Sequence, residues 1–201
     1  MRTPILFCLA LAAMTSSSMA SWWGAIAIFE DPETMDCSIE VEVDEWSTFY
    51  IVVNGAWVYD GGITAVEFGL DNWIGDIPDF PGEIVVTYAS PLHIGELGSN
   101  FSLAWYYPQT GDWVEILRVD FRCHDLAWVY PGFEIQVRDA SESGGIFVVD
   151  DDFEVFHAEG TNAVFNCGGD LITIENPYAE CRCYDDTRTD STSWSLVKNL
   201  F

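Results

Sequence analysis

Apolar and polar residues alternate along most of this chain, and turn residues interrupt the alternation at regular intervals. The clearest case is residues 38–43 (SIEVEV). There Ile39, Val41 and Val43 fall on one side, and Glu40, Glu42 and Asp44 on the other. Successive side chains of a strand point to opposite faces, so this run predicts a strand with one dry and one wet, acidic face. Strand-like runs recur at residues 25–30 (AIAIFE), 48–54 (TFYIVVN), 63–70 (ITAVEFGL), 83–88 (EIVVTY) and 101–107 (FSLAWYY). They continue at residues 113–121 (WVEILRVDF), 133–137 (FEIQV), 145–149 (GIFVV), 153–157 (FEVFH) and 163–167 (AVFNC). Between them stand turn formers: Asn54-Gly55, Asp60-Gly61-Gly62, Pro81-Gly82, Gln109-Thr110-Gly111, Pro131-Gly132 and Ser143-Gly144-Gly145. Short strands at regular spacing, with no helical period before residue 190, predict an antiparallel β-sandwich, Ig-like or jelly-roll-like. The stretch from Tyr106 to Trp113 reads as a hairpin, with aromatics closing both strands across a polar turn.

The two ends follow other rules. Residues 184–191 are polar and uncommitted, and beyond them Trp194, Val197 and Phe201 recur at helical spacing with Leu200 beside them. Ser193 can cap the first turn, and Lys198 suits the negative end of the helix. This predicts a short C-terminal amphipathic helix that is too short to stand alone in water. Its apolar face must be buried, either in a partner's groove as a docking or sorting element or back on the sandwich. At the other end, Arg2, an apolar run over residues 5–14 and Ser18-Met19-Ala20 form the pattern of a secretory signal peptide. That run is about half the roughly 20 residues a membrane-spanning helix needs. The expected organisation is a signal peptide at 1–20, a β-sandwich domain at 21–183, and a linker with a short helix at 184–201. The expected destination is the extracellular space, the periplasm or the cell surface.

Charge narrows the partners. The chain has 33 acidic and 7 basic residues, a net charge of −26. Binding a phosphate backbone needs clustered Lys and Arg, so nucleic acid is excluded, and anionic membrane surfaces are disfavoured for the same reason. The acids suit a soluble, self-repelling surface in a saline exterior. Their oxygens are also hard ligands that calcium could use. High charge with low hydrophobicity would mean disorder, but 49% of this chain is hydrophobic, so a packed core is expected.

Five cysteines remain beyond the signal segment: Cys37, Cys123, Cys167, Cys181 and Cys183. An oxidising compartment favours disulfides, and an odd number leaves one over. Cys181 and Cys183 are one residue apart, which lacks the spacer usual in zinc ligand pairs and strains a mutual bridge. Asp150-Asp151-Asp152 after the run GIFVV is the strongest calcium candidate, because Asp150 and Asp152 point the same way in an extended segment. No EF-hand spacing accompanies them. Trp57 and Trp73 stand beside turn signals and are the candidate aromatics for stacking a sugar. His93, His124 and His157 lie far apart and read as ordinary histidines, and no Gly-x-Ser-x-Gly nucleophile motif occurs.

The layout resembles a group of uncharacterised secreted bacterial proteins with an early Gly-x-Ile-x-Val/Ile-aromatic strand. The corresponding residues are Gly24 to Phe29, then Cys37, then Gly145 to Asp150 followed by Gly160-Thr161-Asn162-Ala163-Val164. The tail Ser193-Trp194-Ser195-Leu196-Val197-Lys198-Asn199-Leu200-Phe201 is similar to that group's Ser/Thr-Trp-Gly-x-Ile/Val-Lys-x-Leu-aromatic ending, with Ser195 in place of the usual Gly. The resemblance implies a secreted β protein and brings no activity with it. The reading is a secreted or surface-attached, non-catalytic binding or structural module. It needs no cofactor except, at most, calcium. Its expected partner is a glycan, or a cell-surface or secretion component met through the tail. The alternatives are a calcium-dependent carbohydrate-binding module and an extracellular hydrolase.

Overall fold

A computed structural model describes residues 24–54, 61–125, 127 and 133–165. Thirteen strands run through them: β1 (Ala25–Phe29), β2 (Ser38–Ile39), β3 (Trp46–Asn54), β4 (Ile63–Asp71), β5 (Gly82–Tyr88), β6 (Leu92–Glu96), β7 (Asn100–Gln109), β8 (Trp113–Cys123), β9 (Glu134–Arg138), β10 (Phe147–Asp150), β11 (Val155–His157), β12 (Glu159–Gly160) and β13 (Asn162–Phe165). The expected all-β sandwich is what forms. The first sheet has the order β12-β1-β3-β8-β5. In the second, β4 is central: β7 and then β6 lie on one side, and β10 with β11, and β9 with β13 and β2, on the other.

β9 and β10 run end to end along the same side of β4, at Gly69–Asp71 and Ile63–Glu67 respectively. They are one strand interrupted by a loop that closes through Ala140 N–H to Gly145 O. All strand pairs are antiparallel except β1 with β12 and β2 with β13, which are parallel.

The core lies between the sheets. Phe49, Phe121 and Phe165 meet edge to face at 5.7–6.0 Å between ring centroids, with Phe133 on Phe165 at 5.5 Å. Toward the other end Phe68 and Tyr88 pack on Phe101, each at 5.5 Å. These rings come from both sheets, which is why the expected alternation holds over most of β8 and the first half of β7.

Three expectations fail. The hairpin from Tyr106 to Trp113 does not form, because β7 belongs to the second sheet and β8 to the first. The chain crosses the sandwich there, and Trp113 packs edge to face on Phe29, 5.1 Å away, instead of facing the tyrosines. The run at 38–43 is a strand only at Ser38–Ile39. Ile39 and Val41 are buried as expected, but Val43 is 48% exposed, since the chain turns at Asp44 with φ +62°. Residues 91–96 carry no predicted strand, yet they form β6 with all five strand residues exposed. The signal segment 1–20, the linker and helix at 184–201 with Trp194, Val197, Leu200 and Phe201, and the candidates Trp57, Cys167, Cys181 and Cys183 lie outside the described residues.

Candidate docking face

The register of the second sheet decides what its outer surface shows. Across an antiparallel pair, residues directly opposite share a face. Ala65 of β4 sits opposite Val149 of β10 and Ala104 of β7. Val149 in turn faces Val155, and Ala104 faces Leu92. One row therefore reads Val155, Val149, Ala65, Ala104, Leu92 across five strands, with no polar side chain. The next row reads His157, Phe147, Glu67, Ser102, Ile94. Solvent reaches these rows: Ile94 is 71% exposed, Val155 62% and Leu92 41%.

Side-chain size shapes the surface. The floor, on β4 and β7, carries Ala65, Ala104 and Ser102, all small. The walls carry Phe147 and Val149 on one side and Leu92 and Ile94 on the other. The wall strands β10 and β6 are three strand spacings apart, about 14 Å. A depression of about 320 Å³ opens against the β10 wall, lined by Ala65, Glu67, Ser102, Phe147, Val149 and Val155 among others. Beyond the floor, β7 bulges: Ile63 faces Gln109 whereas Ala65 faces Ala104, so β7 carries three extra residues there. Tyr106 and Tyr107 project from that bulge and are exposed.

Two local devices hold the β6 wall. Gly95 has φ +87°, and a Cβ there would lie 1.8 Å from the Asn100 carbonyl oxygen, so only glycine fits. His93 stacks on Tyr88 at 3.9 Å and anchors the edge strand to the first sheet's edge.

The outer side of the first sheet is finished differently. Its free part carries rows joined across β5, β8 and β3: Glu83–Arg122–Trp46, Val85–Asp120–Thr48 and Thr87–Arg118–Tyr50. Arg122 Nη2 donates to Glu83 Oε1 at 2.7 Å and its guanidinium lies over the Trp46 ring at 5.3 Å. Asp120 accepts from Arg118 Nε at 3.0 Å and from Thr48 Oγ1 at 2.8 Å. The rest of that side is covered by a second apolar cluster in which the β1–β2 loop, through Cys37 and Met35, packs on Ala27, Phe29 and Val52.

The sites expected from the sequence lie elsewhere. Asp150 is buried, and its Oδ1 accepts from Glu154 N–H at 2.8 Å, closing the β10–β11 turn; Asp152 is exposed on that turn. Among the described residues no three Asp, Glu, His or Cys side chains are grouped to hold a metal ion. Trp73 is 8% exposed and packs in the main core, so its ring offers no platform to a sugar. Cys37 is disulfide-bonded with its partner outside the described residues, and the Cys123 thiol donates to the Asp125 carbonyl at 2.6 Å. His124 pairs with Asp44, and His157 lies against Phe147 at 4.5 Å. Burial, and after it Asp36, Glu40 and Asp31, hold the Glu30 carboxyl above its ordinary range, against the lowering amide of Glu40. No described helix is long and apolar enough to cross a membrane.

No family model matches the chain, and no curated protein matches it in sequence. The fold is similar to solved cohesin modules. A non-cellulosomal cohesin from the archaeon Archaeoglobus fulgidus matches with a TM-score of 0.43 and 14% identity, over 71% of this chain and 88% of that one. A cohesin module of a family 33 glycoside hydrolase from Clostridium perfringens matches with a TM-score of 0.42 and 10% identity, over 71% and 93%. A type I cohesin–dockerin complex from Clostridium thermocellum matches with a TM-score of 0.45 and 9% identity, over 74% and 97%.

Proposed function

We propose that this chain is a secreted, non-catalytic binding module that docks a protein partner on the outer face of its second sheet. The observation that carries this is the apolar row Val155, Val149, Ala65, Ala104, Leu92, continued by Phe147 and Ile94, exposed at Val155, Leu92 and Ile94 and half-buried between them. An antiparallel sheet with one face on the core normally shows polar residues on the other. Contiguous exposed apolar surface marks an interaction site. In a chain of net charge −26, with acids to spare for its surface, such a row has a function to perform. A trough about 14 Å between walls matches the 10–12 Å width of an α-helix. A helix laid in it would bury its apolar stripe against the walls.

The test is capture from the extracellular fraction of the source culture. Wild type and Val85→Asp, on the first sheet, should retain the same protein. The pair Ile94→Asp and Val155→Asp should lose it while keeping the melting temperature. Capture that is indifferent to the groove variants overturns the reading. So does a glycan array that responds only in calcium, or hydrolase activity on a broad substrate panel.

A further inference from the structure

We infer that the groove selects its partner by charge: the docking helix carries a lysine or arginine, within its apolar stripe, that meets Glu67. The inference rests on the reading that the groove is the docking face. Glu67 stands on the floor, on β4, between Phe147 and Ser102. It is already half-buried, and a helix seated on Ala65 and Ala104 would remove its remaining water. A carboxylate buried without a partner is strongly unfavourable, so an occupant that leaves it unpaired binds poorly.

The chain does not supply the counter-charge from its described residues. None of the described ion pairs includes Glu67. The second sheet carries one described arginine, Arg138. Its side chain is committed to Asp71, to the Gly98 carbonyl at 2.8 Å and to the Asp139 carbonyl at 3.0 Å. His157 is two strands away, behind the Phe147 ring. Ser102 can offer a neutral hydroxyl and no charge. With the described cations committed elsewhere, the counter-charge is assigned to the partner. The same requirement disfavours a second copy, which would add another net charge of −26.

Two amidated amphipathic peptides about 14 residues long test this. They share one apolar stripe and differ only in a lysine or a glutamate at its centre. Both are titrated into the full chain, with amide chemical shifts as the readout. The wild type should bind the lysine peptide about tenfold tighter or more, with shifts at Leu92, Ile94, Ser102 and Val149. Glu67→Lys should reverse the preference and Glu67→Gln should bring it near unity. Glu115→Lys, an exposed acid of the first sheet, changes net charge equally and should leave the preference intact.

An equal response to Glu67→Lys and Glu115→Lys, with Ile94→Asp still blocking binding, overturns the inference and leaves the groove reading standing. Binding that Ile94→Asp does not touch overturns both. The inference also fails if the lysine peptide does not saturate below about 1 mM. It fails if the peptide binds only after residues 184–201 are deleted. A wild-type dimer that Ile94→Asp abolishes gives the groove to a second copy and overturns it too.

Discussion

On the outer side of the first sheet, Arg118 and Arg122 are paired with Asp120 and Glu83, and Trp46 lies beneath the Arg122 guanidinium. On the outer side of the second sheet, the floor of the trough is alanine and serine, the walls are aliphatic and aromatic, and the described ion pairs do not include Glu67. Both faces rest on one core. The contrast shows how a sheet face is closed or left open. Exposed ion pairs are worth less than about 1 kcal/mol each, so the arginine ladder contributes little to folding. Its effect is to pair Arg118, Arg122, Asp120 and Glu83 within the sheet, so that these charges need no partner to satisfy them. The groove face does the reverse. It leaves apolar area open and the Glu67 carboxylate outside the described ion pairs, and that combination gains by being covered only if the cover brings a cation.

Four changes, at four depths, separate the two faces. The deepest is the core both faces share: Phe121→Ala, which empties the centre of the Phe49–Phe165 cluster, should cost about 3–5 kcal/mol in denaturant unfolding. Smaller losses there would mean the two sheets are not held by this cluster. Next is the cover of the first sheet. Reducing the Cys37 disulfide should cost about 2–5 kcal/mol, read as a lower melting temperature in reductant, and should leave groove binding intact in the remaining folded protein.

Third is the groove wall. Gly95→Ala places a Cβ against the Asn100 carbonyl and forces a left-handed backbone on alanine, at about 1–3 kcal/mol. Amide exchange should quicken in β6 before it does in β5, and an equal response in both would deny β6 its separate role. Last, Arg122→Ala should change stability by less than about 1 kcal/mol and leave partner capture unchanged. A large loss of binding there would make the first sheet's face the active one.

The sandwich was legible in the sequence because β8 and the first half of β7 bury largely alternate residues and β5 alternates between half-buried and exposed ones, and alternation survives without knowledge of neighbours. The same signal could not say which sheet a strand joins. Tyr106 and Trp113 are close in sequence and aromatic, which predicts that they face each other, yet the chain crosses the sandwich between them. β6 escaped because an edge strand with both sides exposed has no buried half to betray it. Leu92 and Ile94 were the available signal, two apolar residues at strand spacing between turns.

The groove itself was not legible. Ala65, Ser102 and Ala104 are small, commonplace residues from two strands, and Glu67 reads as any polar position in an alternating run. Only the register that sets Glu67 between Phe147 and Ser102 gives it meaning. Trp73 misled in the opposite direction, since a tryptophan beside a turn can just as well point into the core.

Amide hydrogen exchange of the full chain, with and without the protein it captures, reads both outer faces in one measurement. The two outer faces report separately through β6 and β7 on one side and β5 on the other. Slowed exchange should fall on Leu92, Ile94, Ser102, Ala104 and Val149, with Glu83, Val85 and Thr87 unchanged. Protection confined to β5 and β3, with β6 and β7 unaffected, would contradict the account.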